Sequence, residues 1–94
     1  MIEYFYDCIR ATAGVDNTVV MIIQDEEGNN ITSGCNLMLS SDNYDISMIS
    51  GSYEDGLWYF IIPGEKTKDL KGRYWYCVRY ADNTLCFKQP IYLI

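Results

Sequence analysis

Three groups of side chains in this sequence are of types that do chemistry. They are the acidic run Asp25-Glu26-Glu27 with Asn29, the lysines Lys66, Lys68 and Lys71, and the thiols of Cys8, Cys35, Cys77 and Cys86. A calcium loop needs oxygen ligands at alternate positions, a central glycine and a closing glutamate. The run after Gln24 is too short for that and reads as a solvated hairpin turn, as does Glu54-Asp55-Gly56. The sequence has no histidine, so it holds no Ser-His or Cys-His nucleophile pair. A lysine can replace histidine as base, but the three lysines share a charged, aperiodic stretch that reads as a solvated corner. The cysteines form no CxxC pair, and zinc sites need closer ligands than these. Two carboxylates flanking a cleft would suggest glycoside hydrolysis, yet nothing in so short a chain fixes such a pair. The expectation is a non-enzyme with no catalytic residue, no metal ligand and no cofactor.

The thiols also bear on compartment. Met1-Ile-Glu-Tyr-Phe-Tyr-Asp7 has no basic n-region and no small-residue cleavage site, and no apolar run reaches membrane-spanning length. A cytosolic site of synthesis is expected, with all four cysteines reduced and acting as small buried hydrophobes. If one bridge exists, Cys77–Cys86 is the candidate, because the two fall on successive predicted strands. Thirteen acids against seven bases leave a net charge of −6. Such a surface repels phosphate backbones and anionic lipid, so neither nucleic acid nor membrane is an expected partner.

The elements that would position any site are strands. Ninety-four residues make one domain, 1–94, with 1–16 as a lead-in strand and loop. At 49% hydrophobic the chain is too apolar for disorder, and its core will be thin. Residues 2–12 predict a first strand with an interruption. Thr18 to Gln24 is apolar on both faces, which predicts a central strand. Gly28 supplies a positive φ to the acidic turn. Cys35 to Leu39 predicts a strand with one wet face, and Tyr44 to Ile49 a short edge strand. Residues 50–56 read as a loop closed by Asp55-Gly56. Leu57 to Ile62 is a strand ended by Pro63, which has no N–H to donate. Residues 64–71 form a corner or one turn of helix. Gly72 opens the longest strand, with Tyr74, Tyr76, Val78 and Tyr80 on one face and Arg73, Trp75, Cys77 and Arg79 on the other. After a short turn at Asp82-Asn83, Thr84 to Leu93 is the last strand, and Pro90 predicts an edge position or a bulge. About seven short strands and no amphipathic helix predict an all-β, two-sheet antiparallel sandwich.

Two tryptophans divide between these faces. Trp58, with Phe60 and Ile62, faces inward as the tryptophan between the sheets. Trp75 faces outward between Arg73 and Arg79, and reads equally as a contact patch or as cross-strand packing on a half-covered sheet. Tyr74 follows a polar corner, where immunoglobulin-like sandwiches place a tyrosine that turns its hydroxyl back to the chain just upstream. Residues 69–72 suit that role, although Cys77 stands three residues after Tyr74 and has no obvious partner on the second strand.

The order of features carries a resemblance. Gln24-Asp-Glu-Glu-Gly-Asn-Asn-Ile31 is followed by Ser33-Gly34-Cys35-Asn-Leu37 and then Asp55-Gly56-Leu-Trp-Tyr-Phe-Ile-Ile-Pro63. After these come Leu70-Lys-Gly72-Arg-Tyr74-Trp-Tyr76-Cys-Val78 and Tyr80-Ala-Asp-Asn83. From about Asn17 to Ile94 the chain resembles the immunoglobulin-like domain at the N-terminus of bacteriophage upper-baseplate proteins, found also in related phage head and tail appendage proteins. The most specific pieces are Gly-x-Tyr-x-x-x-Val at 72–78 and the preceding Gly-x-x-x-x-x-x-Pro at 56–63. The resemblance implies an immunoglobulin-like sandwich and a non-enzymatic structural component of a virion. Such a component is made in the bacterial host cytoplasm, contacts other virion subunits and forms a homo-oligomer. The strand and the sequence both end at Ile94, which favours a stand-alone capsid decoration or auxiliary subunit, or a fibre- or tail-anchoring subunit. Contacts are expected on the exposed positions Tyr4, Tyr6, Tyr53, Arg73, Trp75, Arg79 and Tyr92, with the N-terminal strand suited to pairing with a neighbour. The alternatives are a carbohydrate-binding or adhesion module and a small acidic cytosolic regulator.

Overall fold

Leu57–Ile62 shows how side-chain alternation places this chain. Trp58, Phe60 and Ile62 are buried to 2% exposure or less, while Leu57, Tyr59 and Ile61 point the other way and keep more exposure. Successive residues of a strand face opposite sides of its sheet, so one face of this strand is core and the other is surface. The computed structural model describes residues 2–4, 8–80, 83–84 and 89–94, with backbone alone for 2–4 and 83–84.

In chain order the strands are β1 (Ile2–Tyr4), β2 (Ile9–Ala11), β3 (Asn17–Met21), β4 (Cys35–Ser40), β5 (Asp45–Ser50), β6 (Ser52–Glu54) and β7 (Leu57–Ile62). A single helical turn, α1 (Gly64–Thr67), precedes β8 (Gly72–Tyr80), β9 (Asn83–Thr84) and β10 (Gln89–Leu93). They form two sheets. The larger has the order β1-β2-β10-β8-β4-β5, with β9 on β8; the smaller has the order β3-β7-β6. Between the sheets lie Ile9, Ala11, Val19, Leu37, Leu39, Trp58, Phe60, Ile62, Val78, Ile91 and Leu93, all at 3% exposure or less. The all-β two-sheet expectation holds.

Several details differ from the sequence reading. Among the described residues the 18–24 segment is not central: β3 ends the order of the smaller sheet, and β7 lies at its centre. Pairing with β7 ends at Met21, and the chain then turns through Asp25 to Asn29 before Ile31 returns to pair with Ile23. Residues 50–56 are more than a loop, because β6 pairs with β7 through the two-residue turn Asp55-Gly56. Both turn residues have positive φ, 50° and 84°, as a tight hairpin between right-twisted strands requires. Pro90 is not on an edge strand, since β10 runs between β8 and β2. It sits one residue before the β2 ladder begins at Ile91, so its missing N–H interrupts nothing there. That β2–β10 ladder is parallel, while the other ladders among the described residues are antiparallel. The lead-in belongs to the core through Ile9 and Ala11.

Gly51 carries the crossover from β5 in one sheet to β6 in the other. A Cβ there would lie 2.5 Å from Phe60 Cε1 and 2.8 Å from Trp58 Cε3. The chain can therefore pass over the stacked Trp58–Phe60 pair, with centroids 5.9 Å apart, only where it has no side chain. At the other end, the polar corner is pinned from the first loop. The Gly14 amide donates to Thr67 Oγ1 at 3.0 Å, and the Gly64 amide donates to Asp16 Oδ1 at 2.7 Å. Thr67 is fully buried. Tyr74 is half-buried against the core, and among the described residues its hydroxyl makes no hydrogen bond. Thr67 and Asp16, rather than Tyr74, hold this corner.

Candidate functional site

The outer face of the larger sheet is built by register. Inward Tyr74, Tyr76 and Val78 leave Arg73, Trp75, Cys77 and Arg79 of β8 facing out. Strand pairing then sets rows across this face. Arg10, Tyr92 and Arg73 are opposite one another across β2, β10 and β8. Pro90, Trp75 and Ser40 make the next row, Cys77, Met38 and Met48 the one after, and Arg79, Asn36 and Ser50 the last. All three arginines of an acidic chain thus stand on one face. Two carboxyl residues accompany them: Asp45 opposite Ser40, and Asp42.

Trp75 is the best-defined member. Its indole Nε1 donates to Asp42 Oδ1 at 2.5 Å. The guanidinium carbon of Arg73 lies 5.0 Å from its ring centroid, a cation–π arrangement. Two neighbours therefore fix the plane of the ring while leaving it half-exposed. Tyr92, at 40% exposure, stands beside Arg73. Ser40 pairs with Trp75, is 1% exposed, and its hydroxyl has no hydrogen-bond partner among the described residues. Chemically this is an aromatic ring with one cation over it, suited to apolar contact plus charge-assisted hydrogen bonds.

Of the residues singled out from sequence, the structure brings Arg73, Trp75 and Tyr92 together. Arg79 shares the face four residues further along β8, half-buried. Tyr53 does not belong to it. It lies on β6 with its ring tilted against Trp58 at 5.7 Å, and its hydroxyl accepts from Asn30 Nδ2 at 3.4 Å. Its alternation turns it toward the core, so it is a rim residue of the sheet interface and not an exposed contact. The backbone of Tyr4 pairs with Ile9 at the end of β1. Tyr6 lies outside the described residues. Sequence reasoning missed Asp42 and Arg10. Asp42 sits in a turn 33 residues from Trp75, and no local signal joins them.

The groups considered for chemistry fall into structural roles. Asp25 Oδ1 accepts from the Glu27 and Asn29 amides, both at 2.9 Å, so this carboxylate closes its own turn. Among the described residues no cluster of three or more acidic, cysteine or histidine side chains is placed to hold a metal ion. Cys8 and Cys35 carry free thiols, and Cys35 and Cys77 are buried. Burial pushes the Cys35 thiol above its ordinary value, which keeps it protonated and unreactive. Cys86 lies outside the described residues, and with it the candidate bridge. No helix among the described residues is long and apolar enough to cross a membrane. No family model matches the chain, and no curated protein matches it.

Proposed function

We propose that this chain is a non-enzymatic immunoglobulin-like contact module, and that it serves as a structural component of a bacteriophage virion. In this reading it is a decoration or fibre-anchoring subunit made in the host cytoplasm. The observation that carries the contact reading is the Arg73–Trp75–Asp42 assembly with Tyr92 beside it. Half-exposed Trp, Tyr and Arg held in fixed geometry are the residue types that dominate protein interfaces. Support for the immunoglobulin-like reading comes from strand order. With β3, β7 and β6 as strands B, E and D, and β10, β8, β4 and β5 as G, F, C and C′, both sheets follow the order of that fold. The chain departs from antibody domains in two ways. Its buried tryptophan is on the E strand, and the position two residues after Tyr74 is Tyr76, not cysteine. The virion assignment rests on the sequence resemblance.

The test is incorporation. The chain is co-expressed with phage capsid or tail subunits, and the mass of the isolated assembly is measured. Trp75→Ala is expected to lower occupancy at least tenfold while leaving the far-UV spectrum unchanged. Full incorporation of the variant refutes this contact face, and no co-assembly of the wild type refutes the virion reading. Binding of sugar by the same aromatics is disfavoured because Arg73 already covers one face of the Trp75 ring. A change in tryptophan fluorescence on a glycan panel would reverse that judgement.

A further inference from the structure

The turn between β6 and β7 holds the only place in this sequence where an aspartate or asparagine is followed by glycine, Asp55-Gly56. These two residues close the hairpin, with Glu54 and Leu57 opposite one another as the last pair of the ladder. Asp55 is exposed, and its φ of 50° is the only positive value outside glycine among the described residues. Gly56 has φ 84°, and two positive values in succession make a type I′ turn. Among the described residues neither the Gly56 N–H nor the Asp55 carboxyl has a hydrogen-bond partner. The peptide is open as well, since a Cβ on Gly56 would meet nothing nearer than Asn30 Nδ2 at 3.8 Å.

We infer that Asp55 is a site of spontaneous backbone modification: in the folded hairpin its side chain cyclises onto the Gly56 amide and reopens as isoaspartate. The Gly56 nitrogen attacks Cγ of the protonated side chain, the Cγ–O bond breaks, and the hydroxyl leaves with the amide proton as water. The product is a succinimide. Water then adds to one of its two carbonyls. Breaking the bond from the Gly56 nitrogen to Cγ restores aspartate. Breaking its bond to the Asp55 carbonyl carbon gives isoaspartate, with the main chain running through Cβ and Cγ. Closing the ring requires ψ of Asp55 near roughly −120° with φ near about 60°, which are the angles of the first central residue of a type II′ turn. Types I′ and II′ both join strands through two residues, and they differ by a flip of the 55–56 peptide. Asp55 already has the φ that both need, and Gly56 takes φ of either sign without strain. The hairpin therefore reaches the reactive geometry while its ladder stays paired. Isoaspartate adds one carbon to the main chain of the turn, so Glu54 and Leu57 no longer fit opposite one another. Among the described strands β6 pairs with β7 alone, and it loosens first, taking Tyr53 from its place against Trp58. The inference is independent of what the Trp75 face binds.

Ageing the purified folded chain at physiological temperature tests it, beside the same chain aged in denaturing urea, with peptide mapping by electron-transfer fragmentation. Isoaspartate is expected at position 55 ahead of every other aspartate, at a rate in the folded chain within about threefold of that in the denatured chain. Asp55→Asn, whose side chain is neutral and releases ammonia, is expected to convert about tenfold faster through the same ring. Asp55→Glu, which would need a larger ring, is expected to form none. In the isomerised fraction, amide exchange should rise at Glu54 and Leu57 and stay unchanged across the β3–β7 pairing. A folded chain that reacts more slowly than this threefold limit overturns the inference, because the hairpin then blocks the flip. So does isoaspartate that appears at other aspartates as readily as at Asp55, or an Asp55→Asn chain that converts only in urea. Unchanged exchange at Glu54 and Leu57 refutes the loosening of β6.

Discussion

The two outer faces of the sandwich are made by the same alternation and end as opposite surfaces. On the larger sheet, β8 sends out Arg73, Trp75, Cys77 and Arg79, and neighbours at once engage the tryptophan: Arg73 over the ring and Asp42 on the indole nitrogen. On the smaller sheet, β3 and β7 send out Val20, Ile22, Tyr59 and Ile61, with no cation or carboxylate among them and with two isoleucines more than half exposed. One face is organised by directional contacts and the other by lack of charge. Directional contacts give specificity and orientation, and an apolar face gives adhesion that depends little on geometry.

Both faces depend on a shared interior, so the largest effect comes from parting the sheets. Gly51 is the residue at which the chain crosses between them, directly over Phe60 and Trp58. Gly51→Ala places a methyl at 2.5 Å from Phe60 Cε1, and overpacking of this kind costs about 1–3 kcal/mol. For a domain of this size, each kcal/mol lowers the melting temperature by about 4–8 °C. Calorimetry is expected to show that loss. A variant that melts with the wild type would mean that the crossover is not packed on the aromatic pair.

A smaller effect separates the faces. Asp42→Ala removes the acceptor of the Trp75 indole, an exposed hydrogen bond worth about 0.5–1.5 kcal/mol at most. The expected stability loss is near the low end of that range, with a change in tryptophan emission. Partner binding through Trp75 should weaken severalfold because the ring loses a fixed orientation, and the smaller sheet should be unaffected. If Asp42→Ala leaves partner binding unchanged, the orientation of the ring does not contribute to it.

What the sequence disclosed about these faces follows from how local each signal is. The alternation at Leu57–Ile62 and Gly72–Tyr80 is a property of six to nine neighbouring residues, and it placed Trp58 inside and Trp75 outside. Asp55-Gly56 is an equally local hairpin signal, and its positive φ values belong to a turn flanked by two strands. Reading it only as the end of a loop hid β6. Edge or centre, by contrast, is a property of the whole sheet order. The run Thr18–Gln24 looks central because it is apolar on both sides, yet among the described strands β3 comes last in its sheet, next to β7. The mismatch between that pattern and that position is what marks the outer face of the smaller sheet. The Asp42–Trp75 contact was illegible for another reason: it requires the β4–β8 register, which emerges only when the sheets assemble. The corner shows the same limit, since Thr67 meets Gly14 across 53 residues, while attention to Tyr74 came from its place in the strand.

The smallest expected effect is the sharpest test of how the faces differ. If the outer face of β3 and β7 is uncovered in the monomer, polar side chains there cost the monomer almost nothing. The double substitution Ile22→Ser, Ile61→Ser should leave the unfolding free energy of a dilute sample within about 0.5 kcal/mol of the wild type, as exposed substitutions generally do. Any loss beyond that reflects the lower strand preference of serine relative to isoleucine, and should fall on Ile61, which lies within β7, more than on Ile22, which lies beyond the end of β3. Denaturant titration of a dilute sample measures it. A loss of 2 kcal/mol or more would mean that part of the same chain covers these isoleucines. The apolar face would then be a piece of core, and the contrast between the two surfaces would disappear.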